Sequence, residues 1–167
     1  KETEWLLAHT LKCNRIDLYL EFDKIISQNL LKIFKSYILR RLNNEPFQYI
    51  IKKGSFYGRD FIVNQNVLIP RPETETIIDL LKKKPRIRHL LDIGTGSGCI
   101  AITVYLEKLA KNILAIDNSE AALNVATINA KEMGANNIQF MKMNILSELP
   151  DKKFDIIVSN PPYISKK

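Results

Sequence analysis

The 167-residue sequence predicts an α/β fold, a doubly wound parallel sheet preceded by a small helical unit and a β-hairpin connector. Three observations carry that expectation. From Pro85 onward, strand-like and helix-like runs alternate, the pattern of a parallel sheet with crossover helices. Gly94, Gly96 and Gly98 stand where the first of those strands gives way to a helix. Before Pro46, the apolar residues follow helical spacing instead.

Taken in order, residues 2–44 read as helical, clearest in Leu31, Phe34, Ile38 and Leu42, with Asn43 and Asn44 ending the pattern. Residues 47–51 and 61–63 read as β-prone runs separated by the turn residues around Gly54 and Gly58, which predicts a hairpin. Pro70 and Pro72 exclude a helix until Pro72 and Thr74 start one that runs to about Lys84. Strands are then expected at 89–93, 113–117, 139–143 and 154–159. Helices are expected at 99–109 and at 120–133, the second opened by Ser119 and closed by Gly134. The domain expectation is a helical unit at 1–44, a hairpin connector at 45–72 and a partial sheet domain at 73–167. The sequence ends just after its fourth sheet strand and lacks an initiator Met, so further strands and a trimmed start are expected.

Composition narrows the class. No apolar run approaches a membrane span and the opening segment is not a signal peptide, so a cytoplasmic protein without a membrane partner is expected. Cys13 and Cys99 lie far apart, and His9 and His89 lack neighbours at ligand spacing, so neither disulfide nor metal is expected. The net charge of +7 suits an acidic partner and a weak contact with nucleic acid, although A+T-biased coding produces the same richness in Lys, Ile and Asn.

The run Asp92-Ile93-Gly94-Thr95-Gly96-Ser97-Gly98 sits at a strand end and opens a helix, where open α/β sheets bind nucleotide-like ligands. The dinucleotide fingerprint wants Gly or Ala at position 99, where Cys99 stands, which disfavours NAD. Asp92 repels a pyrophosphate but attracts an ammonium or sulfonium group, and S-adenosyl-L-methionine carries both. Asp117 ends the next strand, placed either to accept bonds from ribose hydroxyls or to cap the loop before Ser119. Asn160-Pro161-Pro162-Tyr163 follows the fourth sheet strand and is stiffened by its prolines. It presents acceptors, the Asn160 side-chain oxygen and the Pro161 carbonyl, to a planar NH2 group, with Tyr163 offering a flat face. A conjugated nitrogen is a poor nucleophile, and two acceptors drawing its hydrogens out of plane return lone-pair character to it.

On these segments the sequence resembles the release-factor glutamine methyltransferases, the HemK/PrmC family. The resemblance rests on Asn160-Pro161-Pro162-Tyr163-Ile164 as substrate loop, residues 92–96 as cofactor loop, Asp117 as ribose carboxylate, Leu68-Ile69-Pro70-Arg71-Pro72-Glu73-Thr74-Glu75, and Asn44-Glu45-Pro46-Phe47-Gln48-Tyr49-Ile50. It implies a Rossmann-like methyltransferase domain that uses S-adenosyl-L-methionine, and an N-terminal helical domain that docks a peptide-chain release factor, whose Gly-Gly-Gln glutamine accepts a methyl group on N5. The protein is expected to be a monomer. The family's Asp-Trp pair after the third strand is replaced here by Asn144-Ile145, so Asn144 is left as the adenine contact. Two rivals stand beside this reading. One is a nucleic-acid amino-methyltransferase acting on adenine N6 or guanine N2, which would flip its base onto Tyr163. The other is a non-catalytic binding fragment.

Overall fold

The structure is a computed structural model that describes residues 1–161, arranged as two compact units that divide between Lys52 and Lys53.

The first unit is helical. Its long α-helices are α1 (Glu2–Leu11) and α3 (Gln28–Leu42), with the single turn α2 (Asp17–Leu20) between them and α4 (Phe47–Ile51) after them. The helical pattern of residues 2–44 is thus broken twice. Lys12 takes a left-handed conformation that stops α1, and α3 starts afresh at Ser27, whose hydroxyl accepts the Leu30 N–H. Arg41 pairs with Glu2 at 2.7 Å, tying the end of α3 to the start of α1. Residues 47–51 form a helical turn, not the expected strand. The Pro46 carbonyl accepts the N–H groups of Tyr49 and Ile50, Phe47 meets Trp5 edge-to-face at 6.1 Å, and Ile50 is buried. Packing outweighs the β-propensity of Phe, Tyr and Ile here.

In the second unit, the hairpin joins β1 (Lys53–Phe56) to β2 (Arg59–Ile62). Tyr57 and Gly58 both have positive φ, 50° and 72°, the two-residue turn whose twist suits a hairpin. Its first strand lies after the expected run at 47–51, and its second starts two residues before the expected run at 61–63; Phe56 and Phe61 are the side chains that reach the core. They meet edge-to-face at 6.1 Å and are fully buried.

A 3-10 turn (Pro72–Thr74) leads into α5 (Glu75–Lys82), and the Glu75 carboxylate accepts the Tyr57 N–H at 2.8 Å, fastening the hairpin turn to this helix. The sheet follows: β3 (Ile87–Ile93), α6 (Cys99–Leu106), β4 (Ala110–Asp117), α7 (Glu120–Glu132), β5 (Ile138–Lys142) and β6 (Ile156–Ser159). All neighbours are parallel, in the order β5-β4-β3-β6. Helix α6 ends earlier and β4 begins earlier than expected, because Lys108 turns left-handed and the Leu109 N–H returns to the Val104 carbonyl. One sheet face, with Leu90, Ile113, Ala115 and Val158, packs against Ile78 and Leu81 of α5, residues 100–104 of α6, and both hairpin phenylalanines.

Asn129 of α7 joins these parts. It is buried, its Oδ1 accepts the Ile62 N–H at 2.7 Å, and its Nδ2 donates to the Ile62 carbonyl at 3.0 Å and the Ser97 carbonyl at 2.8 Å. The side chain therefore imitates a neighbouring strand for β2 while holding the glycine-rich loop. Asn129→Ala is expected to destabilise the protein by about 2–4 kcal/mol, since one N–H and two carbonyls lose their partner. Denaturant unfolding at constant m checks this, and a loss below about 1 kcal/mol would refute it.

Candidate active site

The register of the sheet assembles the site. Ile93 pairs with Ile116 on one side and with Ser159 on the other, so Gly94, Asp117 and Asn160 leave three adjacent strands at one level. With strands about 4.8 Å apart, Asp117 and Asn160 flank the loop within about 10 Å of each other along the sheet. The strand order changes direction at β3, between β4 and β6, the switch point at which open α/β sheets form a ligand crevice.

The loop itself is tightly held. The N–H groups of Gly94 and Thr95 both donate to the Ile116 carbonyl, at 2.8 and 3.0 Å, and the Gly98 N–H donates to the Thr95 carbonyl at 2.8 Å. Gly98 is at φ 80°, and a Cβ there would stand 2.8 Å from Ile102 Cδ1 and 3.1 Å from Ala126 Cβ, so this glycine is required by the approach of α6 to α7.

Asp92 is wholly buried beneath the loop. Its Oδ2 accepts the Thr95 hydroxyl at 2.7 Å, while Oδ1 has no hydrogen-bond partner. Burial pushes its pKa up to about 6; the Thr95 hydroxyl and the Ala101 N–H act in the opposite direction, and the Asp117 charge adds to the rise. The Ala101 N–H lies close enough to favour the charged form without closing a bond to Oδ1. A cation above the loop would favour the charged form of this carboxylate. Cys99, half-buried at the start of α6, behaves differently: desolvation pushes its thiol up to about 12, which favours the protonated form.

Asp117 spends both oxygens on the backbone, Oδ2 accepting the Gly96 N–H and Oδ1 the Ser119 N–H, each at 2.9 Å. The loop-capping arrangement weighed from sequence is therefore present, and each oxygen keeps a second lone pair. Asn144 closes a turn after β5, its Oδ1 accepting the Leu146 N–H at 3.1 Å. Ile145 packs onto the other sheet face with Met141, Met143 and Phe154.

Asn160 is positioned from two sides. The preceding Ser159 hydroxyl donates to the Ile93 carbonyl at 2.9 Å, and Asn160 Nδ2 donates to Thr74 Oγ1 at 2.9 Å. Leu68, Pro70 and Thr74 line one cleft with Gly94, Gly96 and Asn160. The Pro-Arg-Pro-Glu-Thr-Glu segment thus comes to the glycine loop. Pro161 is described and exposed, whereas Pro162, Tyr163 and Ile164 lie outside the described residues. A roomier concavity of about 600 Å³ is lined by Arg86, Arg88, Lys108 and Lys111, but at the amino ends of β3 and β4, away from all these groups.

Sequence reasoning missed Asn129 as a site-positioning residue, although a signal existed. Ala122, Leu123, Val125, Ala126 and Ala130 form the buried stripe of α7, and Asn129 is a polar residue at an apolar position of that stripe.

Comparison with known proteins agrees with this geometry. Residues 72–167 match the model of the methyltransferase small domain, and residues 1–51 match that of the PrmC N-terminal domain. Over 98% of the chain it is 40% identical to the release factor glutamine methyltransferase of Geobacter sulfurreducens, covering 57% of that protein. It is 42% identical, again over 98%, to the one of Bacillus subtilis, covering 60%. The chain belongs to the release factor glutamine methyltransferase family. It spans about three-fifths of the length of these curated relatives. Among solved structures, a Pyrococcus abyssi tRNA (uracil-54, C5)-methyltransferase in complex with S-adenosyl-L-homocysteine aligns with a TM-score of 0.53 at 19% identity, over 66% of this chain and 28% of that one. That likeness speaks for the shared fold, the Rossmann-like α/β architecture expected from the family resemblance.

Asp92 gives this family member a testable pH signature. Its ordinary value near 3.8 applies to the unfolded chain and about 6 to the folded one, so the unfolded chain loses its proton first. Stability is lost as pH rises through that window, by roughly 3 kcal/mol. Asp92→Asn is expected to flatten this slope and to unfold at higher denaturant than the parent at pH 7. Urea titrations at pH 4 and pH 7 check it, and parallel pH profiles for the two proteins would refute it.

Proposed function

We propose that the protein carrying this chain transfers the methyl group of S-adenosyl-L-methionine to the side-chain amide nitrogen of the glutamine in the Gly-Gly-Gln motif of a peptide-chain release factor. The observation that supports this most is the carboxamide of Asn160 at the same sheet level as Gly94 and Asp117, beside a glycine loop with a half-satisfied buried carboxylate. The cofactor, when bound, supplies an activated methyl group on a sulfonium centre.

In this reading the backbone of residues 93–96 admits the cofactor closely, and the charge of Asp92 beneath the loop attracts its ammonium group. The spare lone pairs of Asp117 receive the ribose hydroxyls, and Asn144 takes the adenine edge through the lone pair its turn leaves over. Asn160 Oδ1 and the Pro161 carbonyl accept the two N–H bonds of the glutamine amide. The amide nitrogen bonds to the methyl carbon as the carbon–sulfur bond breaks, and one N–H proton leaves to water. A strong general base is unnecessary, and alignment supplies most of the rate, up to about 7–11 kcal/mol.

The N-terminal unit serves as the release-factor docking domain in this reading. Its apolar exposure supports that role: Phe22 and Ile25 are 85% and 95% exposed, and they line a groove of about 410 Å³ with Leu7, Leu11, Leu18 and Leu30. Site of action in the cytoplasm and a monomeric state belong to the same proposal.

The test is methyl transfer by the full-length protein from labelled cofactor, with a release factor, its Gly-Gly-Gln to Gly-Gly-Ala variant, RNA and DNA as acceptors. Label is expected on the release factor alone and lost in the variant. Asn160→Ala is expected to lower kcat at least about 100-fold while S-adenosylhomocysteine affinity changes little. Label on RNA or DNA would assign the site to base amines instead, and no label anywhere would leave the chain a binding module.

A further inference from the structure

The concavity at the amino ends of β3 and β4 takes no part in the proposed methyl transfer. Strand β3, seven residues long, puts roughly 20 Å between it and the glycine loop. Its charged lining is Arg86, Arg88, Lys108 and Lys111, with no carboxylate among the lining residues, and Lys83 and Lys84 stand exposed just before it in the chain. Strand pairing forces part of this charge together. Ile87 is in register with Ala110 and His89 with Asn112, so Arg88 and Lys111 stand side by side on adjacent strands about 4.8 Å apart. Like charges so placed repel one another. Asp155 offsets Arg88 in part, since its carboxylate accepts the backbone N–H groups of His89 and Arg88. Glu107 is already paired with Arg59 and Lys82. No ion pair among the described residues includes Arg86, Arg88, Lys108 or Lys111.

The carbonyl end of α6 accounts for a cation at position 108 but not for the other three. A coding bias raises the number of lysines without gathering cations around one hollow. The shape and the uncharged lining narrow the partner to an anion that enters. At about 600 Å³ the hollow lies in the size range of ligand pockets, whereas a flat membrane surface would reach only its rim. Half-buried Tyr105, with Leu106 and Leu109, supplies an aromatic and aliphatic wall. A nucleic-acid base stacks on such a wall while its phosphates meet Arg and Lys; an acidic peptide would use the cations and leave the wall unused. We propose that this hollow binds a segment of single-stranded nucleic acid, with phosphates on Arg86, Arg88, Lys108 and Lys111 and a base against Tyr105. A strand bound there leaves Gly94, Asp117 and Asn160 free, so the hollow is a docking site and not a route to base methylation. The inference stands independently of the methyl-transfer reading.

The test is fluorescence anisotropy of a labelled oligouridylate of about ten nucleotides, titrated with the full-length protein between about 50 and 200 mM salt. Arg88→Gln/Lys111→Gln is expected to weaken binding at least about tenfold. It is also expected to make the slope of log affinity against log salt shallower by about 1.4, the share of two phosphate contacts. Lys35→Gln/Lys131→Gln removes the same charge from exposed positions of α3 and α7 and is expected to stay within about twofold of the parent. Tyr105→Leu is expected to weaken binding at least about fivefold with the salt slope unchanged. Far-UV circular dichroism checks that each variant is folded, and Lys108→Glu, at an exposed position, keeps the site testable if Tyr105→Leu is not. Equal losses in the two double variants would reduce the effect to net charge and overturn the proposal. Failure of the parent to bind at the lowest salt would do the same. Tighter binding of a polyglutamate peptide or of phosphatidylserine vesicles than of the oligouridylate would overturn it too, assigning the hollow to an acidic protein or a membrane.

Discussion

Two N–H groups, of Gly94 and Thr95, converge on the carbonyl of Ile116, and the path of the chain after β3 depends on that double anchor. It bends the loop over the end of β4, so that Gly96 reaches the Asp117 carboxylate and Gly98 starts α6 against α7. If the turn were loosened, the loop would lose its relation to both flanking strands. On the opposite side, Ser159 performs the matching task by bonding Ile93, so β3 is clamped at its carboxyl end from both neighbours. A parallel sheet alone aligns strands; these contacts decide what emerges from their ends.

The remaining parts attach to this clamp by polar bonds made in buried surroundings. Asn129 connects the hairpin to the loop, and Glu75 connects the hairpin turn to α5. A second connection runs over the surface, where Glu107 at the end of α6 receives Arg59 from β2 and Lys82 from α5, which holds its pKa below the usual carboxylate range. The surface pairs contribute little each, whereas the Asn129 bonds are shielded from water and their loss leaves groups with nothing to replace them.

Asp92 illustrates how a site can strain its own fold. A buried carboxylate with one oxygen unpartnered opposes folding near neutral pH, and a core of this size would be more stable with an amide there. Under the proposed function, a cation at that loop would lower this penalty.

The local elements were legible from sequence wherever spacing and caps act within one segment. The alternation after Pro85 named the parallel sheet, Ser119 and Gly134 bracketed α7, and the glycine run and Asn160 marked the adjacent strand ends where the candidate site lies. Only tertiary structure could decide the helical turn at residues 47–51, where packing against Trp5 overrides β-propensity, and the hydrogen bonds of Asn129 and Thr74. Partners 67 and 86 positions apart leave no periodic trace in a chain. A hydrogen bond between distant segments is set by the fold's geometry, so the residue types alone name candidates, and the sheet register makes them neighbours.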